Sequence, residues 1–211
     1  MNYTQLVAAI ESYTENQFET ADINTFIQEA EQRVYNTVQL PALRKNVTGN
    51  LTSGNKYLAC PSDWLATFSL ALINGNNEFT YLLDKDVNFI RESYPDTDAA
   101  FYGTPAYYAQ FDQNTFIIGP TPDSSYSMEL HYFYYPESIV TAGTSWLGNN
   151  FDSVLLYGAL LEAYTYMKGE ADVTATYQKR YDEAMALLKQ LGDGKNRRDA
   201  YRSGQVRYPV M

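Results

Sequence analysis

One histidine and one cysteine set the limits of any nucleophilic or metal chemistry in this chain. His131 lies inside the strand-like run MELHYFYY (Met128–Tyr135), with no second His or Cys near it in sequence, the setting of a structural histidine. Cys60 precedes Pro61 and becomes a nucleophile only if His131 meets it in space, because the reactive species is a thiolate that a neighbouring base must generate. A single Cys also excludes an intramolecular disulfide and a multi-Cys zinc site. Asp84, Asp86, Asp96 and Asp98 fall in loop-like stretches that suit a cation, yet the loop glycine and distal Glu of a calcium hand are missing. Solvated acidic surface is the expectation there. Gly119-Pro120-Thr121-Pro122 reads as a turn, since no Gly-rich strand-to-helix motif with a following Lys surrounds it. No spacing of carboxylates points to a hydrolytic pair. By exclusion the sequence predicts a binding or assembly protein with no catalytic residue, no metal and no cofactor. One alternative is a carbohydrate- or surface-binding module, because strands dense in Tyr and Trp stack on sugars. Trp64 and Trp146, however, both adjoin apolar runs, where core packing is the default.

The charge distribution supplies a sharper signal. The 211 residues carry a net charge of −10, but residues 195–211 hold Lys195, Arg197, Arg198, Arg202 and Arg207 against Asp199 alone, a net +4. That leaves −14 on residues 1–194. Such a body argues against wrapping nucleic acid, itself a dense polyanion, though not against a smooth negative wall that DNA slides past. Tyr201, Val206, Tyr208, Val210 and Met211 are interleaved with the basic residues. Basic side chains with aromatics between them bind nucleic acid or dock as a strap on an acidic neighbour; the bland reading is a frayed, solvated end. The 20 tyrosines fit either extensive interfaces or a β-rich region, since Tyr buries a ring while keeping its hydroxyl wet and also favours strands.

The elements that must position these groups follow from periodicity. Tyr3, Leu6, Val7, Ile10 and Tyr13 predict a helix over 3–15, with Asn2 as N-cap and Gln5 completing a capping box. Ile23, Phe26, Ile27, Ala30, Val34 and Val38 predict a second, capped by Thr20 or Asp22 and stopped at Leu40-Pro41. Residues 150–168 are apolar nearly all round and predict a central core helix, too broken by Asp152 and Glu162 to span a bilayer. Residues 171–191 form a half-solvated helix with the stripe Val173, Tyr177, Tyr181, Ala184, Leu188 and Leu191.

Between the helical pairs, short β-type runs are cut by Gly, Pro, Asn and Asp. Leu43–Val47 and Asn50–Ala59 read as a hairpin; Asp63–Ile73 and Glu78–Leu83 read as another, around Asn74-Gly75-Asn76-Asn77. Pro105–Phe111, Thr115–Ile118 and Tyr126–Tyr135 read as three more strands, with a short helix at Asp84–Tyr94. Along Met128–Tyr135, Met128, Leu130, Tyr132 and Tyr134 alternate with Glu129, His131, Phe133 and Tyr135, and this second face is too aromatic for plain solvent surface, which fits an edge or an interface. Tyr132, Tyr134 and Tyr135 are the candidate subunit or tail contacts. The fold class expected is α+β: a four-helix bundle from 1–42 and 147–191, a β-rich antiparallel insertion at 43–146, and an extended C-terminal tail at 192–211. The N-terminus has no basic region followed by an apolar run, so a chain made in the cytoplasm, with no membrane partner, is expected.

Three stretches carry a resemblance. FIQEAEQRVYNTVQLPALRKNVTGNLTSGNKYLACPSDWLA, FIIGPTPDSSYSMELHYFYYPESI, and SWLGNNFDSVLLYGALLEAYTYMKG with YDEAMALLKQLGDGKNRRDAYRSG are similar to the head-to-tail adaptor (connector) proteins of tailed, short-tailed-type bacteriophages. The likeness is one of pattern and layout over nearly the whole chain. It implies a virion protein at the head–tail junction, forming a homo-oligomeric ring of twelve copies under the portal protein. Such a ring prolongs the channel for double-stranded DNA and seats tail nozzle or tail tube proteins. It further implies that a C-terminal extension grips the portal, here through Lys195, Arg197, Arg198, Tyr201, Arg202, Arg207 and Tyr208.

Overall fold

The computed structural model of the chain describes residues 1–38, 40–95 and 98–196. The described residues form an α+β fold with seven helices and two four-stranded sheets. Contacts divide it into two compact units, Met1–Leu43 with Tyr135–Met211, and Arg44–Tyr134. The helical unit therefore resumes at Tyr135, ahead of the junction at 147 that the sequence predicts.

Within the helical unit, helix α1 (Tyr3–Thr14) opens with the expected capping box: the Asn2 side chain accepts from Gln5 N at 2.9 Å, and Asn2 N donates to Gln5 Oε1 at 3.0 Å. Helix α2 (Thr20–Thr37) departs from expectation at its start. Glu19 is its N-cap and neither Thr20 nor Asp22 caps it; both are already helical, with Asp22 in the first turn where a carboxylate suits the helix dipole. Two short helices, α4 (Ile139–Ala142) and α5 (Trp146–Asn150), are capped by Ser138 and Ser145. The long helices α6 (Asp152–Met167) and α7 (Ala171–Asn196) follow.

Helix α6 is the centre of this unit, and α1, α2 and α7 all pack on it. Val154, Leu155, Leu156, Ala159, Leu160, Leu161 and Ala163 are buried around its circumference, as its all-round apolar sequence demands. Each such Leu contributes about 1.5–3 kcal/mol relative to an exposed one. Close approach needs small residues at the crossing: a Cβ on Gly158 would lie 3.0 Å from Ala30 Cβ and 3.3 Å from the Tyr181 ring. The helix ends at Lys168, which takes the left-handed conformation (φ 55°), so the break falls where Lys168-Gly169 predicts it. Helix α7 runs five residues past Leu191, so Gly192–Asn196 is helical rather than extended. The rest of the expected tail, residues 197–211, lies outside the described residues.

The second unit packs its sheets face to face. In the first sheet the strand order is β1 (Arg44–Leu51), β8 (Tyr126–Phe133), β3 (Ala66–Ile73), β4 (Phe79–Tyr81). In the other it is β2 (Tyr57–Ala59), β7 (Thr115–Gly119), β6 (Tyr107–Asp112), β5 (Leu83–Asp84). The β3–β4 hairpin pairs Ala71 with Tyr81 and Ile73 with Phe79, as the Asn-Gly turn predicts. The expected hairpin of 43–47 with 50–59 does not form. β1 is one continuous strand pairing with β8 from Arg44↔Phe133 to Leu51↔Tyr126, while β2 crosses to the other sheet and pairs with β7. Ser53-Gly54-Asn55 turns the chain between the two sheets, with Gly54 at φ 75°. β8 is likewise an interior strand and not an edge. Leu51, Leu70, Leu72, Met128, Leu130 and Tyr132 from the first sheet meet Tyr108, Phe116 and Ile118 from the second to form the core. Helix α3 (Val87–Ser93), capped by Asp86, packs Ile90 on Ala109 and Ile117.

Candidate interaction surfaces

Cys60 and His131 belong to different parts of the β unit, Cys60 just after β2 and His131 within β8. Cys60 packs against the core between the two sheets, and its backbone N–H donates to Asn114 O at 2.7 Å. Burial and the nearby Asp112 carboxylate push its thiol up to about 11, so it stays protonated at neutral pH and is a poor nucleophile. His131 alternates with the buried Leu130 and Tyr132 and so lies on the face of its sheet turned away from that core, edge-on to Phe68 at 5.1 Å.

Two of the four acidic candidates are occupied locally, and Asp84 is exposed on edge strand β5. Asp86 Oδ1 accepts from Asn88 N at 2.7 Å and Asp98 Oδ1 accepts from Ala100 N at 3.1 Å, each starting a short helical turn; Asp96 lies outside the described residues. Among the described residues no three His, Cys, Asp or Glu side chains come together as a metal site would require. Gly119 ends β7 where any side chain would strike Ile90 and Tyr94, both 2.9 Å from its ideal Cβ, so this glycine serves the seating of α3.

The two tryptophans are half-buried and committed to packing. Trp64 stands edge-on to Phe116 at 5.4 Å and donates its Nε1–H to Thr67 Oγ1 at 3.2 Å. Trp146 stacks on Phe151 at 5.7 Å.

The three candidate tyrosines have three different fates. Tyr132 is 1% exposed and belongs to the core of the β unit, so it leaves the set of surface residues. Its hydroxyl donates to Asp63 Oδ1 at 2.8 Å, and Lys45 Nζ holds the other carboxylate oxygen at 2.7 Å. That Lys45 hydrogen bond, opposed by partial desolvation and assisted by Tyr132, holds the Asp63 carboxyl below its ordinary range. Tyr134 is half-buried beside the same core, with the Lys45 ammonium 5.2 Å from its ring centre. Tyr135 belongs to the helical unit and is exposed; its ring stacks on Tyr35 at 6.4 Å and its hydroxyl donates to Asn36 Oδ1. Of the basic candidates, Lys195 sits in the last turn of α7, whereas Arg197, Arg198, Tyr201, Arg202, Arg207 and Tyr208 lie outside the described residues.

One buried carboxylate escapes a reading for catalytic motifs. Glu31 is only 3% exposed, and its Oε1 accepts from Ile139 N at 3.0 Å, securing the start of α4 against α2. Burial raises its pKa, and hydrogen bonds from Ser138 and Ile139 pull part of the way back. Glu31 lines a shallow pocket of about 170 Å³ with Gln28, Tyr35, Tyr135 and Pro136, but no second carboxylate and no histidine lines it to act as a catalytic partner. The signal was present in its spacing, four residues after Ile27 and three before Val34, which places it on the buried stripe.

What the surface does offer is apolar and aromatic. Phe79, Tyr81 and Leu83 are 49%, 64% and 58% exposed along one margin of the β unit, and Tyr57 and Phe111 meet at a tilt, ring centres 5.3 Å apart, at the surface of the second sheet. Exposed apolar and aromatic side chains of this kind are the chemistry that protein–protein contacts use. The family described as SU10 adaptor protein matches residues 1–208. The chain belongs to the SU10 adaptor family. Membership makes it a phage head-to-tail adaptor of the short-tailed type, a structural component of the virion at the head–tail junction. No curated protein matches the chain. Among the described residues no helix is long and apolar enough to cross a membrane.

Proposed function

We propose that this adaptor works as a ring of twelve copies seated beneath the portal, prolonging the DNA channel and presenting a platform to nozzle or tail tube proteins. The four long helices form the ring body as a bundle, and the residues after α7 grip the portal through Lys195, Arg197, Arg198, Tyr201, Arg202, Arg207 and Tyr208. The observation that carries this reading is the charge contrast within a member of an adaptor family: +4 on residues 195–211 against −14 on the remainder. A negative body repels DNA and lets it pass without specific binding, while a basic, aromatic segment suits an acidic protein surface. The ring is assembled in the host cytoplasm and carried in the virion.

The α7 boundary fixes where the test must cut. Gly192 is buried in the helix, so truncation after Leu191 would disturb packing, whereas truncation after Asn196 leaves every described element intact. The chain ending at Asn196 is expected to keep the melting temperature of the full-length protein and to lose binding to purified portal. Undiminished portal binding by that truncation contradicts the docking role of the tail.

A further inference from the structure

The β unit has two lateral margins, and they are unlike. The chain passes from edge strand β1 to edge strand β2 through residues 52–56, so both sheets end on one margin with the segment 44–59. It passes from edge strand β4 to edge strand β5 through Leu82 alone, so both sheets end on the opposite margin with the segment 78–86. In a protein of net charge −10, residues 44–59 contain Arg44, Lys45 and Lys56 and no carboxylate. Residues 78–86 contain Glu78, Asp84 and Asp86 against Lys85. The first segment is +3, or +2 with Asp63, which bonds Lys45, and the second is −2.

Strand direction matches as well as charge. β1 is antiparallel to β8, β8 to β3, and β3 to β4, so the two edge strands of this sheet run in opposite directions. A small rotation about a ring axis preserves direction, so β4 of one copy meets β1 of the next antiparallel, and the alternation continues across the junction. β1 is a long, regular edge: it is eight residues long, contains no proline, pairs with β8 without a bulge, and carries charge only at Arg44 and Lys45, at its start. Asn46, Val47 and Thr48 along it are exposed, and β1 is an edge strand of its sheet. The facing margin supplies the exposed apolar side chains Phe79, Tyr81 and Leu83.

We propose that copies of this chain join head-to-tail through the β unit, the basic β1–β2 margin of one copy pairing with the acidic β4–β5 margin of the next. Two unlike patches make a heterologous contact, which closes into a ring when the rotation permits. The proposal rests on the ring reading above and names the surface that builds the ring. Lys45 is already engaged by Asp63, so Lys56 and Asp84 are the charges to invert.

The full-length chain is made as Lys56→Glu and as Asp84→Lys, and assembly is followed by native mass spectrometry, alone and on purified portal. Each variant by itself is expected to lose at least about ten-fold in assembly constant, since like charges then face each other across the junction. An equimolar mixture of the two is expected to regain assembly in alternating order. The carboxylate introduced in one variant then meets the ammonium introduced in the other, while the reverse contact keeps the native Lys56 against the native Asp84. Recovery on mixing also shows that both variants fold. Single variants that assemble like the wild type overturn the edge pairing and leave the ring reading standing. Singles that fail and do not recover on mixing also overturn it. A wild-type chain that stays monomeric both alone and on portal overturns the ring reading, and this proposal with it.

Discussion

Glu31 shows at the scale of one residue how the helical unit is held. Its carboxylate secures α4 from within α2, and burial raises its pKa above the ordinary value of 4.5. A raised folded-state pKa means that the folded protein favours the protonated form. The associated stabilisation is complete below about 4.5 and is lost as pH rises through the raised value. Glu31→Gln keeps an oxygen for Ile139 N and removes the titration. The melting temperature of the Gln variant relative to wild type is therefore expected to improve from pH 4 to pH 7; a difference constant across that window contradicts the burial argument. Asp63 titrates in the opposite sense, because its depressed pKa gives stability that is present above the ordinary carboxylate range and lost as pH falls through the depressed value. Both roles depend on long-range partners, Ile139 for Glu31 and Lys45 with Tyr132 for Asp63, which local sequence patterns do not reveal. Cys60 and His131 have no surrounding motif in the sequence, and the structure puts Cys60 against the core between the sheets and His131 on the outer face of β8.

At the scale of elements, packing on α6 governs the helical unit. Gly158 faces Ala30 at a helix crossing with no room for a side chain, and Ala30 and Tyr181 crowd the same spot. Gly158→Val is expected to destabilise the full-length protein by about 1–3 kcal/mol through overpacking, despite the poorer intrinsic helix propensity of Gly. Chemical denaturation measures it, and an unchanged midpoint would show that α2 and α6 are less closely packed than described. The helices were largely legible because each carries its own periodicity and caps: the Asn2–Gln5 box and the Lys168-Gly169 break lie where the sequence puts them. Ser138 and Ser145 were equally ordinary caps, but the helices they start are only four and five residues long, too short to display a period. The β region was less legible because its pairing is distant. The fate of 44–51 is set by β8, far along the chain, while the local pattern of 43–59 reads as a hairpin. Gly192 and Gly194 likewise looked like the end of α7, yet the helix continues through both to Asn196.

The whole molecule is best understood through its charge. An acidic chain with a basic end, and within it a β unit whose two margins carry opposite net charge, has features that favour ordered contact with copies of itself and with a second protein. Family membership places it at the head–tail junction of a phage, and the ring of twelve is the claim on which the channel, the platform and the tail grip all depend. That claim is tested most directly by electron microscopy of the purified full-length protein, alone and bound to purified portal, with the rotational symmetry of the particles counted. The account predicts closed rings of twelve-fold symmetry stacked on the portal. Monomers scattered on the portal, or closed rings of another copy number, would contradict it.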